Sequence, residues 1–471
     1  MLVTRIKSSL IIITIFTTLV YSLSSNTLTQ CYDHPDPLNR THQIPIKCPI
    51  IKQSIDEHLL TSQNTTNMFV VNFTCGTDST ILCTKVKNAF ETAGKIISST
   101  LTLNVPINVN ASFVDFCTTM GDCGNTGTIT LGGASPARSI LLQDDDGLTR
   151  LYPQALVKQF QFQRHPEFSE FDIKALFNSA VTNFWFDGDP PITSSQQDFL
   201  YVILHEYIHG LGLYSSFDDH FNNSVPTIMT PKIYMSENSI DSSLTFNGFV
   251  EAAFDKYMIY LPTGGRISSI ITSQLNQFAG GVGTVFLDMN EFSSKFKSSS
   301  QYVLSLNMMT CAITPYSLGF LPRGANKSSE AIILETSLKP YRRGSSIMHF
   351  NYKTYSKTSD FLMKYSADRG VSLTNLVAAS GNSGSPIGPK LKLFLETLGY
   401  QSSENPNPYR PSVDITSNSY NKDNKDDTPV LPDGVNMSSS AQLGVGKTMF
   451  STMISVFIMI QQFVELSRLR S

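Results

Sequence analysis

The chain has no Cys-x-x-Cys pair, no surplus of basic residues and no internal repeat, and each absence removes a class of protein. Without closely spaced cysteine pairs, a zinc ribbon or finger is excluded. A formal net charge of -3 and a charged fraction of 15% across 471 residues leave no basic footprint, which excludes nucleic acid as a partner. Long hydrophobic runs are scarce too. The apolar stretches at residues 10–20 and 448–464 are both short beside the roughly 20 residues a membrane helix needs.

What is present points to an exported protein. Arg5 and Lys7, the first apolar stretch and small residues at 22–25 have the layout of a secretory signal peptide over residues 1–24, with a signal anchor as the alternative. Cys31, Cys48, Cys75, Cys83, Cys117 and Cys123 fall in the first quarter of the chain and Cys311 stands alone. In an oxidising compartment this predicts a disulfide-stapled N-terminal region with one thiol left over. Sequons at Asn39, Asn64, Asn72, Asn110, Asn222, Asn326 and Asn436 fit the same route. Near the far end, Ser438, Ser439, Ser440 and Ala441 precede the second apolar stretch, as in a lipid-anchor signal. Arg468 and Arg470 in the polar tail suit the alternative, a single-pass helix. Either arrangement tethers the protein, through its C-terminal segment, to the extracellular face of the plasma membrane. Simple secretion is the third expectation.

Along the chain, residues 25–65 are rich in proline and polar side chains (Pro35, Pro37, Pro45, Pro49) and read as an irregular arm or a propeptide. The main domain is expected over residues 66–400, followed by an extended stalk at 401–440 and the anchor segment at 441–471. Residues 68–73 and 105–116 alternate like strands and residues 81–100 have helical periodicity, so a strand, helix, strand unit opens the domain. Residues 131–150 read as a Gly- and Asp-rich loop. Its Asp144, Asp145, Asp146 and Gly147 form a solvated turn, with calcium binding as the less favoured alternative. Residues 172–186 are expected to supply a strand lining a cleft, residues 218–245 an insertion loop, and residues 390–398 a helix. The fold class is α+β: a mixed twisted sheet, a helix bearing the site, and a mainly irregular or helical C-terminal subdomain.

The chemistry is concentrated in residues 201–217, YVILHEYIHGLGLYSSF. His205 and His209 are four apart, so on a helix they project from one face a turn apart, the spacing at which two imidazoles hold one zinc ion. Glu206 reaches zinc-bound water without ligating the metal, which is the general-base role in a zinc peptidase. Ser195 to Asp198 reads as a capping box before this helix, Leu200, Leu204, Ile208 and Leu211 give it a buried face, and Gly212 ends it. The bland reading, two core or surface histidines on one helix, does not account for the capping signal, the pattern HExxHxxG and the glycine stop together.

A catalytic zinc needs a third protein ligand. In the compact motif HExxHxxGxxH it lies six residues after the second histidine, where this chain has Ser215, a poor ligand. Candidates are Asp218, Asp219 and His220 just after the helix, Glu251 and Asp255 further on, and His349 in Gly344-Ser345-Ser346-Ile347-Met348-His349-Phe350. A Leu362-Met363 pair follows His349.

With this helix, a distant histidine and a Leu-Met turn, the chain resembles the leishmanolysin branch of the metzincin zinc peptidases. The resemblance implies a metzincin-like fold, with His205, His209 and His349 as zinc ligands, Glu206 as base and Met363 beneath the metal. A rival alignment makes Met348 the turn methionine and His349 its neighbour. The implied function is a secreted, membrane-tethered zinc metalloendopeptidase acting on peptides or proteins; beside the resemblance, Tyr352 or Tyr355 is a candidate oxyanion donor. The alternative is a catalytically inactive metallopeptidase-like protein for cell-surface binding or adhesion, motivated by Ser215.

Overall fold

The computed structural model describes residues 28–52, 66–123, 129–221, 225–381 and 384–411. The N-terminal arm, expected to be irregular, is a regular antiparallel hairpin of β1 (Leu28–Asp33) and β2 (Ile44–Lys52), bridged by Cys31–Cys48. Pairing with a strand from far along the chain and a disulfide hold it, and local propensity carries neither signal. The expected opening unit follows: β3 (Phe69–Cys75), α1 (Thr80–Thr100) and β4 (Ile107–Val114), with the two strands parallel. Ser79 caps α1 by accepting from Leu82 N, and β4 buries every second side chain. Cys75–Cys83 ties β3 to α1, and Cys117–Cys123 closes a turn after β4. Cys311 is free and buried.

The expected loop at residues 131–150 is instead β5 (Gly132–Pro136) and β6 (Arg138–Gln143), followed by β7 (Thr149–Pro153). Their glycines and single turn aspartates hid short strands that tertiary pairing stabilises. In the Asp144–Asp146 turn, Asp145 and Asp146 are exposed, as expected of a solvated turn, while Asp144 is buried, and the carboxylates meet cations of the fold in place of calcium. Arg150 Nη1 lies 3.1 Å from Asp144, Arg150 Nη2 lies 2.7 Å from Asp146, and Lys256 and Arg323 bind Asp145. The charge is satisfied by side chains of the fold itself.

Helix α2 (Gln154–Phe160), β8 (Arg164–Pro166) and β9 (Ile173–Asn178) come next, then the motif helix α3 (Phe199–Leu211). The expected insertion loop contains strand β10 (Lys232–Glu237) and leads into β11 (Leu244–Ala252). The site-bearing sheet has the order β3-β4-β9-β5, with the first three strands parallel and β5 antiparallel at the edge. A second sheet runs β10-β11-β7-β6-β1-β2-β8, parallel only between β11 and β7. The class is therefore α+β with mixed sheets. Against the first sheet, Phe90 of α1 meets Phe177 of β9 at 5.1 Å between ring centroids and Phe199 of α3 at 6.1 Å, which clamps the motif helix to its support.

The C-terminal part is helical and irregular around one small antiparallel sheet, Met258–Tyr260, Gly265–Arg266, Leu318–Phe320 and Ile332–Ile333, and it ends in α4 (Pro389–Leu398). The body extends past the expected start of the stalk. Gln401 pairs with Thr102, and the Tyr409 ring stacks 3.8 Å from the Arg323 guanidinium. The signal peptide, the stalk beyond residue 411 and the anchor segment lie outside the described residues. Among the described residues no helix is long and apolar enough to cross a membrane.

Candidate metal centre

Helix α3 begins on Asp198, whose side chain accepts from Tyr201 N at 3.2 Å. Asp198 is thus the cap itself and not the far end of a box begun at Ser195. A second strong bond, Leu373 N to Asp198 at 2.7 Å, ties the helix start to the C-terminal part. Its far end is Gly212 at φ 127°, outside the range of an ordinary side chain. That turn brings the Leu213 carbonyl back to accept from His209 Nδ1 at 2.6 Å.

Each of the other two histidines is fixed in the same manner. His205 Nδ1 donates to Leu362 O at 2.8 Å and His349 Nδ1 donates to Ser345 O at 2.9 Å. Ile347, between Ser345 and His349, has φ 58°, a costly conformation for a β-branched residue. It curls the segment so that the ring folds back on its own backbone. With every Nδ1 hydrogen committed to a carbonyl, each Nε2 presents a bare lone pair. The three Nε2 atoms face one another at 3.0 Å (His205 to His349), 3.2 Å (His209 to His349) and 3.3 Å (His205 to His209).

No hydrogen is available to bridge these lone pairs, so the arrangement is repulsive unless a cation sits among them. Tetrahedral zinc with Zn–N bonds of about 2.0–2.1 Å sets its nitrogen ligands roughly 3.3 Å apart, and the observed spacing fits it. Burial pushes the pKa of all three imidazoles down, which keeps them neutral and ready to ligate. They form the one three-residue cluster of potential ligands found among the described residues.

The other candidates for third ligand are engaged elsewhere. Ser215 donates to Asp255 at 2.6 Å, and Asp255 also accepts from Ser216 and Ala252 N. The residue at the compact motif's ligand position is therefore part of a buried carboxylate cradle. Glu251 binds Arg150 and Ser268, Asp218 binds Arg343, Asp219 accepts from Phe221 N and Thr227 N, and His220 donates to Ser216 O. Met348 and Met363 are both buried, and the turn Phe361–Met363 is the one whose Leu362 carbonyl grips His205. Tyr355 accepts from Ile333 N and lies off the cleft wall, as does Tyr352, while Tyr201 and Tyr365 line it.

Sequence reasoning missed Arg40. The loop between β1 and β2 carries its buried guanidinium into the cleft, where Nη2 donates to Glu206 Oε2 at 2.7 Å and Nε to Ala134 O at 2.7 Å. Ala134 N donates to the same Oε2 at 2.9 Å. Oε2 is held twice, and Oε1 makes no hydrogen bond among the described residues. Arg40 and Glu206 are 166 residues apart in a region that reads as an arm, so no local signal pointed to the pair. The centre opens into a cleft of about 700 Å³, walled by residues 129–133, 342–345 and 364–369.

With this geometry in hand, comparison places the chain in a family. A family model described as SPBPB7E8-like matches residues 24–432, and the chain belongs to that family. It is similar to an uncharacterized protein of the fission yeast Schizosaccharomyces pombe, 28% identical over 379 residues that cover 74% of this chain and 65% of the relative. The chain thus matches somewhat less than two thirds of that relative's length. No solved structure matches.

Proposed function

We propose that the protein is a zinc metalloendopeptidase of metzincin-like fold, most similar to the leishmanolysin branch, with His205, His209 and His349 as metal ligands. The observation that carries this reading is the three buried Nε2 lone pairs facing one another within 3.3 Å, each ring fixed by its own carbonyl. Zinc, when bound, supplies Lewis acidity toward a peptide carbonyl and lowers the pKa of water beside it. Glu206 Oε1 would serve as the base, accepting a proton from the attacking water as its oxygen adds to the carbonyl carbon and returning it to the amine as the C–N bond breaks. Arg40 and Ala134 N hold Oε2 so that Oε1 faces the cleft. Three disulfides within the N-terminal region support an extracellular setting, with the C-terminal segment as lipid or single-pass tether.

The test is casein cleavage by the purified ectodomain. Glu206→Gln is expected to keep its zinc and lose roughly 10²–10⁴-fold in turnover. Equal cleavage by wild type and Glu206→Gln removes the assignment. Stoichiometric zinc without turnover across a broad peptide library moves the protein to the alternative, an inactive cell-surface binding or adhesion module.

A further inference from the structure

The cleft is basic in a chain whose net charge is negative. Arg342, Arg343, Lys364 and Arg369 line it, facing the carboxylates Asp122 and Glu206, and Glu206 is already balanced by Arg40. Two of the cations are spent on the fold: Arg343 Nε lies 2.9 Å from Asp218, and Lys364, whose side chain is fully buried, binds Asp368. Arg342 and Arg369 are different. Both are exposed, and neither guanidinium has a hydrogen-bond or ion-pair partner among the described residues.

Their placement matters as much as their freedom. Arg342 begins the loop whose Ser345 carbonyl fixes His349, and Arg369 ends the segment that follows the Leu362 carbonyl fixing His205. The two guanidiniums thus belong to the two loops that grip the metal-site rings. Resting on the proposed peptidase reading, we propose that the site takes acidic peptides, with Arg342 and Arg369 each seating an Asp or Glu carboxylate of the substrate. A guanidinium offers a carboxylate two parallel N–H donors, which a lysine cannot match. With Glu206 balanced by Arg40, the catalytic carboxylate adds little repulsion toward such a substrate.

The test uses alanine-based fluorogenic peptides in which each position around the scissile bond carries Glu, Ala or Lys in turn. An exposed charge pair is worth up to about 1 kcal/mol, so a Glu seated on one guanidinium is expected to raise kcat/KM up to roughly fivefold over Ala at that position, with Lys there falling below Ala. Arg342→Glu with Arg369→Glu, both at exposed positions, is expected to reverse the order, and raising salt toward about 0.5 M is expected to shrink it. In parallel, binding of the same peptides to Glu206→Gln is read by fluorescence anisotropy. Equal or better handling of Lys peptides by wild type overturns the proposal, as does a preference that survives the double charge reversal. If no peptide is cut, the binding series still decides: tighter binding of Glu peptides, reversed by the charge swap, keeps the preference for acidic peptides while the hydrolase reading falls.

Discussion

Gly210, between His209 and the end of the motif helix, lies directly against Ile173 of β9. A Cβ there would stand 2.6 Å from Ile173 Cγ2, 2.9 Å from Cδ1 and 3.0 Å from Cγ1. Relief to the ordinary contact limit of 3.4 Å requires a shift of 3.4 − 2.6 = 0.8 Å. A zinc site tolerates only about ±0.2 Å in its ligand distances, so a helix displaced that far carries His205 and His209 out of reach. Two effects oppose each other in Gly210→Ala. Helix propensity favours alanine by about 1 kcal/mol, and overpacking costs about 1–3 kcal/mol. The clash is expected to win, giving a net loss of up to about 2 kcal/mol in urea unfolding and weaker zinc binding in a competitive chelator titration. Adding Ile173→Ala, which removes all three clashing atoms, is expected to recover the zinc affinity. A Gly210→Ala protein more stable than wild type with unchanged zinc affinity would refute the reasoning.

Two further expectations concern buried charge. Arg40→Met leaves Glu206 uncompensated and is expected to cost about 3–5 kcal/mol, whereas Arg40→Met combined with Glu206→Gln is expected to cost about 2–3 kcal/mol less than the two single losses summed. Losses in urea unfolding that add to within about 0.5 kcal/mol would show that the pair is not coupled. Asp255 is held up to about 6 by burial first and the nearby Glu251 second, against a usual 3.8. Between those values the folded chain keeps a proton that the unfolded chain releases, so Asp255 stabilises the fold most at low pH and its contribution falls as pH rises from about 4 to about 6. Comparing the pH dependence of urea unfolding for wild type and Asp255→Asn isolates this slope, and identical profiles would exclude it.

The parts of the site that rest on neighbours in sequence were legible. The i,i+4 histidines, Glu206 and the glycine stop all follow from helix geometry, and the α1 unit follows from plain periodicity. His349 stood as one of several candidate third ligands and was singled out only by a family resemblance, because the chain between it and the helix carries no regular spacing. Arg40 was invisible: its role depends on a hairpin held by Cys31–Cys48 and by pairing with β6, both set by distant residues. β5 and β6 were missed for the same reason, as GGASP has no strand propensity of its own and becomes a strand by pairing with β9. Ser215 was correctly read as a poor ligand, but its purpose, donating to Asp255, needed the fold.

The central claim is that three imidazoles from two distant segments hold one divalent ion. It is tested most directly by metal analysis of the purified, dialysed protein as wild type and as His349→Ala. The account predicts one zinc per wild-type chain and little or none in His349→Ala, with both proteins folded by circular dichroism. A wild-type chain free of zinc after refolding in its presence, or a His349→Ala chain that retains it fully, would contradict the account.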